Sequence, residues 1–175
     1  MCRIVLITGG ARSGKSTFAL NLAENYTSRA FLATAEATDP EMAVRIQKHK
    51  EERGERFTTI EEPLNIADAI TRLPETTEIV VVDCLTVWLG NLMHHRGQDS
   101  YPYKEIESLL DMLTQPSMDI VLVSNELGMG IIPEYEMGRW FRDVAGRLNQ
   151  DVARRADEVI FMVSGCPLWA KRENG

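Results

Sequence analysis

With 175 residues, the chain is the size of one ordinary domain. Its net charge of −7, from 19 Lys+Arg against 26 Asp+Glu, argues against nucleic acid as a partner, because a phosphate backbone needs clustered cations. The 44% hydrophobic content suffices for a real core, and no apolar run approaches the roughly 18 residues of a membrane span.

Cys2 to Thr8 is mostly β-branched and aliphatic and reads as a buried strand. It feeds Gly9-Gly10-Ala11-Arg12-Ser13-Gly14-Lys15-Ser16, which fits the phosphate-binding P-loop, G-x-x-x-x-G-K-[ST]; Thr17 to Asn25 behind it has helical spacing. Strand, glycine loop and helix is the context this motif requires. Glycines let backbone N–H groups curl around phosphate oxygens, and the helix N-terminus adds roughly half a positive charge. Lys15 is expected to reach the β- and γ-phosphates and Ser16 to hold Mg²⁺.

Strand-like and helix-like segments then alternate. Ala30 to Thr34 is a short apolar strand, and Thr38-Asp39-Pro40-Glu41 starts a helix that runs to about Glu52 and stops at Gly54. Phe57 to Glu61 is a strand, Leu64 to Leu73 a helix ended by Pro74, and Glu78 to Asp83 a fully buried strand. Cys84 to His95 and Lys104 to Leu113 are helices, with a loop from Arg96 to Pro102 between them. Asp119 to Ser124 is a strand, Glu136 to Arg155 a long amphipathic helix, and Val159 to Ser164 the last strand. Continuous apolar strands separated by helices mean a mostly parallel sheet with helices on both faces: a single α/β domain over 1–175. Cys2, Cys84 and Cys166 show no metal or redox spacing and fit a reduced, cytoplasmic setting; no signal peptide is expected.

In such sheets ligands bind beyond the carboxyl ends of the strands, which sorts the remaining candidates. Asp83 ends the most hydrophobic strand and fits a Walker B acid on Mg²⁺; the plainer alternative is an N-cap for the following helix. Ala33-Thr34-Ala35 leaves the second strand and is placed to line a nucleotide or substrate. Ser124-Asn125-Glu126-Leu127-Gly128-Met129-Gly130 leaves another, as a turn or, with its two glycines, as a loop closely approaching a ligand. Trp140, Phe141, Val144, Ala145, Leu148 and Val152 form the apolar face of the long helix. Arg139, Asp143, Arg147 and Gln150 recur on another face, which is either solvated or set to meet an anion. His49 shares a helix face with Met42, Ile46 and Arg53; taken alone, such a histidine is a packed structural imidazole, as are His94 and His95.

The P-loop, Arg45-Ile46-x-x-His49-x-x-x-Arg53, Asn125-Glu126-x-Gly128-Met129-Gly130-Ile131-x-Pro133-Glu134 and Phe141-Arg142-Asp143-x-x-Gly146-Arg147-x-Asn149-Gln150 occur in this order. Together they resemble the bifunctional adenosylcobinamide kinase/adenosylcobinamide-phosphate guanylyltransferase family of cobalamin synthesis, across essentially the whole chain. The resemblance implies a RecA-like P-loop fold and a tendency to form trimers. It also implies two reactions. ATP or GTP phosphorylates the aminopropanol hydroxyl of adenosylcobinamide; GTP then donates GMP to that phosphate through a guanylylated histidine, releasing pyrophosphate.

The family's histidine matches His49, its nucleotide-binding run matches Lys50-Glu51-Glu52-Arg53, and its two acids match Glu61 and Asp83. A neutral imidazole is a good nucleophile at neutral pH, and Lys48, Lys50 and Arg53 offset phosphate charge beside it. Two departures stand out: Gly54 follows Arg53 where proline is expected, and Ser124 replaces a threonine before Asn125-Glu126. Two other readings remain at this point: a P-loop small-molecule kinase with a structural His49, and a nucleotide-dependent regulator acting on a protein partner.

Overall fold

The computed structural model describes residues 2–36 and 56–172. The helix expected from Thr38, including His49 and Lys50 to Arg53, lies outside them. The strands are β1 (Ile4–Gly9), β2 (Arg29–Ala33), β3 (Thr58–Glu61), β4 (Ile79–Asp83), β5 (Asp119–Val123), β6 (Glu158–Val163) and β7 (Cys166–Lys171). They form a seven-stranded sheet in the order β3-β2-β4-β5-β1-β6-β7. All pairings are parallel except β6 with β7. The helices are α1 (Lys15–Ala23), α2 (Ile66–Thr71), α3 (Leu85–Arg96), α4 (Lys104–Met112) and α5 (Glu136–Arg155).

The continuous apolar strands follow from burial on both faces. Along β1 and its neighbours, Ile4, Leu6, Leu32, Val80, Val82 and Leu122 point into a core shared with α2 to α5. The alternate set, Val5, Ile7, Phe31, Val81 and Val123, packs on Ala19 and Ala23 of α1. On α5 the expected stripe is realised: Val144, Ala145, Leu148 and Val152 are buried, and Trp140 and Phe141 pack half-buried beside them.

The last strand departs from expectation. The chain does not stop pairing at Ser164 but turns back as β7. Ser164 and Gly165 both have positive φ, 51° and 82°, which is the backbone twist of a tight two-residue hairpin. Neither alternation nor burial marks β7, because it is an edge strand exposed along most of its length and contains Pro167, tolerated only at such an edge. Among the described residues, no helix is long and apolar enough to cross a membrane.

Candidate active site

The phosphate loop leaves β1 between two neighbours, β5 and β6, at the carboxyl end of the sheet. Gly9 has φ 148°, and a Cβ there would lie 2.5 Å from the Met162 carbonyl oxygen, so only glycine fits. Gly14, at the start of α1, has φ 94° and would set a Cβ 3.3 Å from Gly165 Cα. The Gly165 amide donates to the Ser13 carbonyl at 3.0 Å. The β6–β7 turn therefore buttresses the loop, a role the chain signals locally only by the Ser164-Gly165 dipeptide.

Lys15 is 7% exposed, and its ammonium donates to the Gly10 carbonyl at 2.5 Å. Burial pulls its pKa below the ordinary lysine value, while Cys84 and Asp83 nearby work against that shift. A desolvated cation inside a curl of amides is a strong attractor for a polyphosphate. Ala11 and Arg12 on the crown of the loop are exposed, and Arg12 adopts φ 57°.

Asp83 ends β4, two strand spacings from β1, roughly 10 Å. Its peptide bond to Cys84 is cis. Thr34 brackets that step: its amide donates to the Asp83 carbonyl at 3.3 Å, its hydroxyl to the Cys84 carbonyl at 2.9 Å, and it accepts from the Cys84 amide at 2.8 Å. Asn91 of α3 donates to the Thr34 carbonyl at 2.7 Å. Thr34 is fully buried, so its side chain secures the acid-bearing exit from behind, while Ala33 and Ala35 flank it. Burial raises the Cys84 thiol to about 11, so it stays neutral and inert. Glu61 pairs with Ala33 at the β3 edge, four strand spacings from β1, roughly 19 Å.

The Ser16 hydroxyl makes no hydrogen bond among the described residues, leaving it available as a ligand. No group of three or more His, Cys, Asp or Glu gathers among them. One hydroxyl and one carboxylate, completed by phosphate oxygens and water, suits Mg²⁺, which is rarely held by an all-protein cage.

A second set of groups adjoins the loop. Glu126 donates its amide to the Gly9 carbonyl at 3.0 Å, tying the β5 exit to the P-loop. Behind it, the Ser124 hydroxyl donates to Asn149 Oδ1 at 2.6 Å, Asn149 Nδ2 donates to the Asn125 carbonyl at 3.1 Å, and the Asn125 amide donates to Thr86 Oγ1 at 2.8 Å. This buried network fixes α5 and α3 to the β5 exit, and its satisfied groups rigidify the junction. Beside it opens a groove of about 580 Å³ between residues 126–128, β1 and the Arg142–Gln150 side of α5.

Comparison with known proteins agrees with this geometry. The profile of one protein family, described as "Cobinamide kinase / cobinamide phosphate guanyltransferase", matches residues 5–169. The bifunctional adenosylcobalamin biosynthesis protein CobU of Escherichia coli (strain K12) is 38% identical over 174 residues, covering 93% of this chain and 96% of that protein. The bifunctional adenosylcobalamin biosynthesis protein CobP of Pseudomonas aeruginosa is 42% identical over 169 residues, covering 96% of this chain and 97% of its own length. Among solved structures, the RadB recombinase superposes with a TM-score of 0.53 at 16% identity, over 91% of this chain and 73% of that one. The P4 protein of bacteriophage phi6 in complex with ADP gives 0.50 at 17% identity, over 94% of this chain and 52% of that one. These two likenesses establish the RecA-like P-loop fold and nothing finer.

Proposed function

The chain belongs to the cobinamide kinase / cobinamide phosphate guanyltransferase family and is an adenosylcobinamide kinase and adenosylcobinamide-phosphate guanylyltransferase of cobalamin biosynthesis; from that premise we propose how its residues divide the work. The observation that carries the reading is the formed P-loop, with Lys15 buried inside it, in a chain matched by the family over residues 5–169.

In the kinase step, the amides of residues 9–16 and the Lys15 ammonium hold the phosphates of ATP or GTP, with Arg12 at the crown. Ser16 and Asp83 hold Mg²⁺, which when bound neutralises phosphate charge. The aminopropanol oxygen of adenosylcobinamide forms a bond to the γ-phosphorus, the bond to the β–γ bridging oxygen breaks, and the nucleoside diphosphate leaves. The alcohol proton passes to solvent. Phosphoryl transfer of this kind asks for positioning and charge stabilisation, which a rigid loop on a buried sheet supplies.

In the second step, the His49 imidazole nitrogen bonds to the α-phosphorus of GTP and pyrophosphate leaves. A phosphate oxygen of adenosylcobinamide phosphate then attacks that phosphorus, the N–P bond breaks, and adenosylcobinamide-GDP is released with the imidazole restored. Lys50, Glu51, Glu52, Arg53, Glu61, Ala33 and Ala35 serve the nucleotide at this end, with Thr34 holding the β2 exit behind them. We further propose that residues 1–175 act as one unit, in the cytoplasm, in a homo-oligomer of three copies. Intact-mass spectrometry after incubation with GTP and Mg²⁺ tests the histidine. A GMP-sized adduct on wild type and none on His49→Ala is expected. Phosphorylation of adenosylcobinamide without any adduct would leave a kinase alone.

A further inference from the structure

Thr8, the last residue before the P-loop, is 8% exposed, and its hydroxyl makes no hydrogen bond among the described residues. That hydroxyl is not sealed in the core, so it is open to a ligand in the groove that Thr8 lines. Thr8 lines the groove beside α5, and there it is not alone. Arg147 and Gln150 on the same groove also make no hydrogen bond or ion pair among the described residues. Gly146 sits between them in mid-helix, where a Cβ would meet nothing within 4 Å. Alanine would suit the helix better at that position, so the missing side chain leaves room against the backbone.

The groove's charges select its ligand. Arg142 is ion-paired with Asp143 at 2.9 Å, and Arg147 and Glu126 line the same groove, one Glu126 carboxylate oxygen accepting from the Gly128 amide at 2.6 Å. Two cations and two anions make a balanced lining, unsuited to a polyphosphate and suited to a ligand edge rich in amides and hydroxyls. The floor is apolar, with Leu6, Ala153 and Val159. The chain leaving Gly128 exposes Met129, Ile131 and Ile132 at 77%, 96% and 66%. That apolar lip matches a flat macrocycle whose rim bears carboxamides.

We infer that the groove between residues 126–128 and the Arg142–Gln150 side of α5 is the acceptor subsite of the kinase step. It takes the amide-bearing edge of the corrinoid, with Thr8, Arg147 and Gln150 as polar contacts and Gly146 as the gap for close approach. The inference rests on the kinase reading above. A groove of about 580 Å³ holds an edge and its alcohol arm rather than a whole macrocycle, and Thr8 delivers that arm next to Gly9.

Thr8→Val and Gly146→Leu test it, through the Kd of cobinamide by equilibrium dialysis, the KM values of adenosylcobinamide and of the nucleotide, and Tm. Thr8→Val removes a hydroxyl with no protein partner, so Tm should hold while cobinamide binding weakens about three- to tenfold, the worth of one hydrogen bond. Gly146→Leu should keep or raise Tm and weaken cobinamide about tenfold or more by filling the space. The nucleotide KM should stay within twofold in both. Unchanged cobinamide binding in both variants overturns the assignment and leaves the kinase reading standing, as does a shift confined to the nucleotide. A wild-type protein that neither binds nor phosphorylates cobinamide overturns both.

Discussion

The phosphate loop and the groove begin one residue apart, at Gly9 and Thr8, and they are held by opposite means. The loop is a backbone device: Gly9 leaves no room for a Cβ, Gly14 takes a φ of 94° that other residues rarely adopt, and the working groups are peptide N–H bonds and Lys15. The groove is a side-chain device, assembled from β1, β6, the β5 exit and α5. A polyphosphate is a dense charge that a local curl of amides can recognise. An amide-rimmed acceptor presents scattered donors and acceptors, so its receptor needs side chains brought from distant segments.

The largest effect that would sharpen this contrast is at Lys15. Lys15→Ala should cut phosphorylation of adenosylcobinamide by at least on the order of 10²-fold while leaving Kd for cobinamide in the groove unchanged. If cobinamide binding fell in parallel with the rate, loop and groove would be one site. Next is the junction network. Asn149→Ala leaves the Ser124 hydroxyl with Thr86 at 3.2 Å as its remaining partner and takes the donor from the Asn125 carbonyl, so chemical denaturation should show a loss of about 1–3 kcal/mol. Cobinamide binding should weaken more than nucleotide binding, because the network positions α5.

The smallest effect lies at the opposite end of the sheet. The Tyr26 hydroxyl donates to Asp119 Oδ2 at 2.5 Å, and burial, with that bond, pushes its pKa up to about 12. Since the folded value lies above the unfolded one, near 10, the tyrosine's contribution is fully present below about pH 10 and is lost as pH rises toward 12. Tyr26→Phe should lower stability by about 1 kcal/mol near neutral pH and flatten the fall in stability over that alkaline window. Both transferase rates should be unaltered; a change in either would mean that the two ends of the sheet are coupled.

The groove also explains why part of the site was harder to read. The P-loop is contiguous from Gly9 to Ser16, so spacing alone exposes it. Asp83 is visible because a buried apolar run ends in an acid. Thr34 looked like a lining residue, and its hydroxyl instead serves the Asp83–Cys84 step from within the core. Thr8 sits in an apolar strand and reads as core, because nothing local tells a threonine bonded within the protein from one whose hydroxyl is left open at a groove. Arg147 and Gln150 read equally as a solvated face, since helical spacing gives direction but not the identity of what lies opposite.

Local chemistry in the chain therefore determined the parallel α/β plan, the phosphate loop, the buried strands and the stripe of α5, each of which is set by neighbours a few residues away. Tertiary structure decided the order in which strands pair and the return of β7 behind the P-loop. It also decided which hydroxyls are satisfied and which groups meet across the groove from Thr8 to Arg147. Those depend on how segments more than a hundred residues apart are brought to one place, as Thr8 and Gly146 are in lining one groove, and periodicity along one element carries no information about what another places against it.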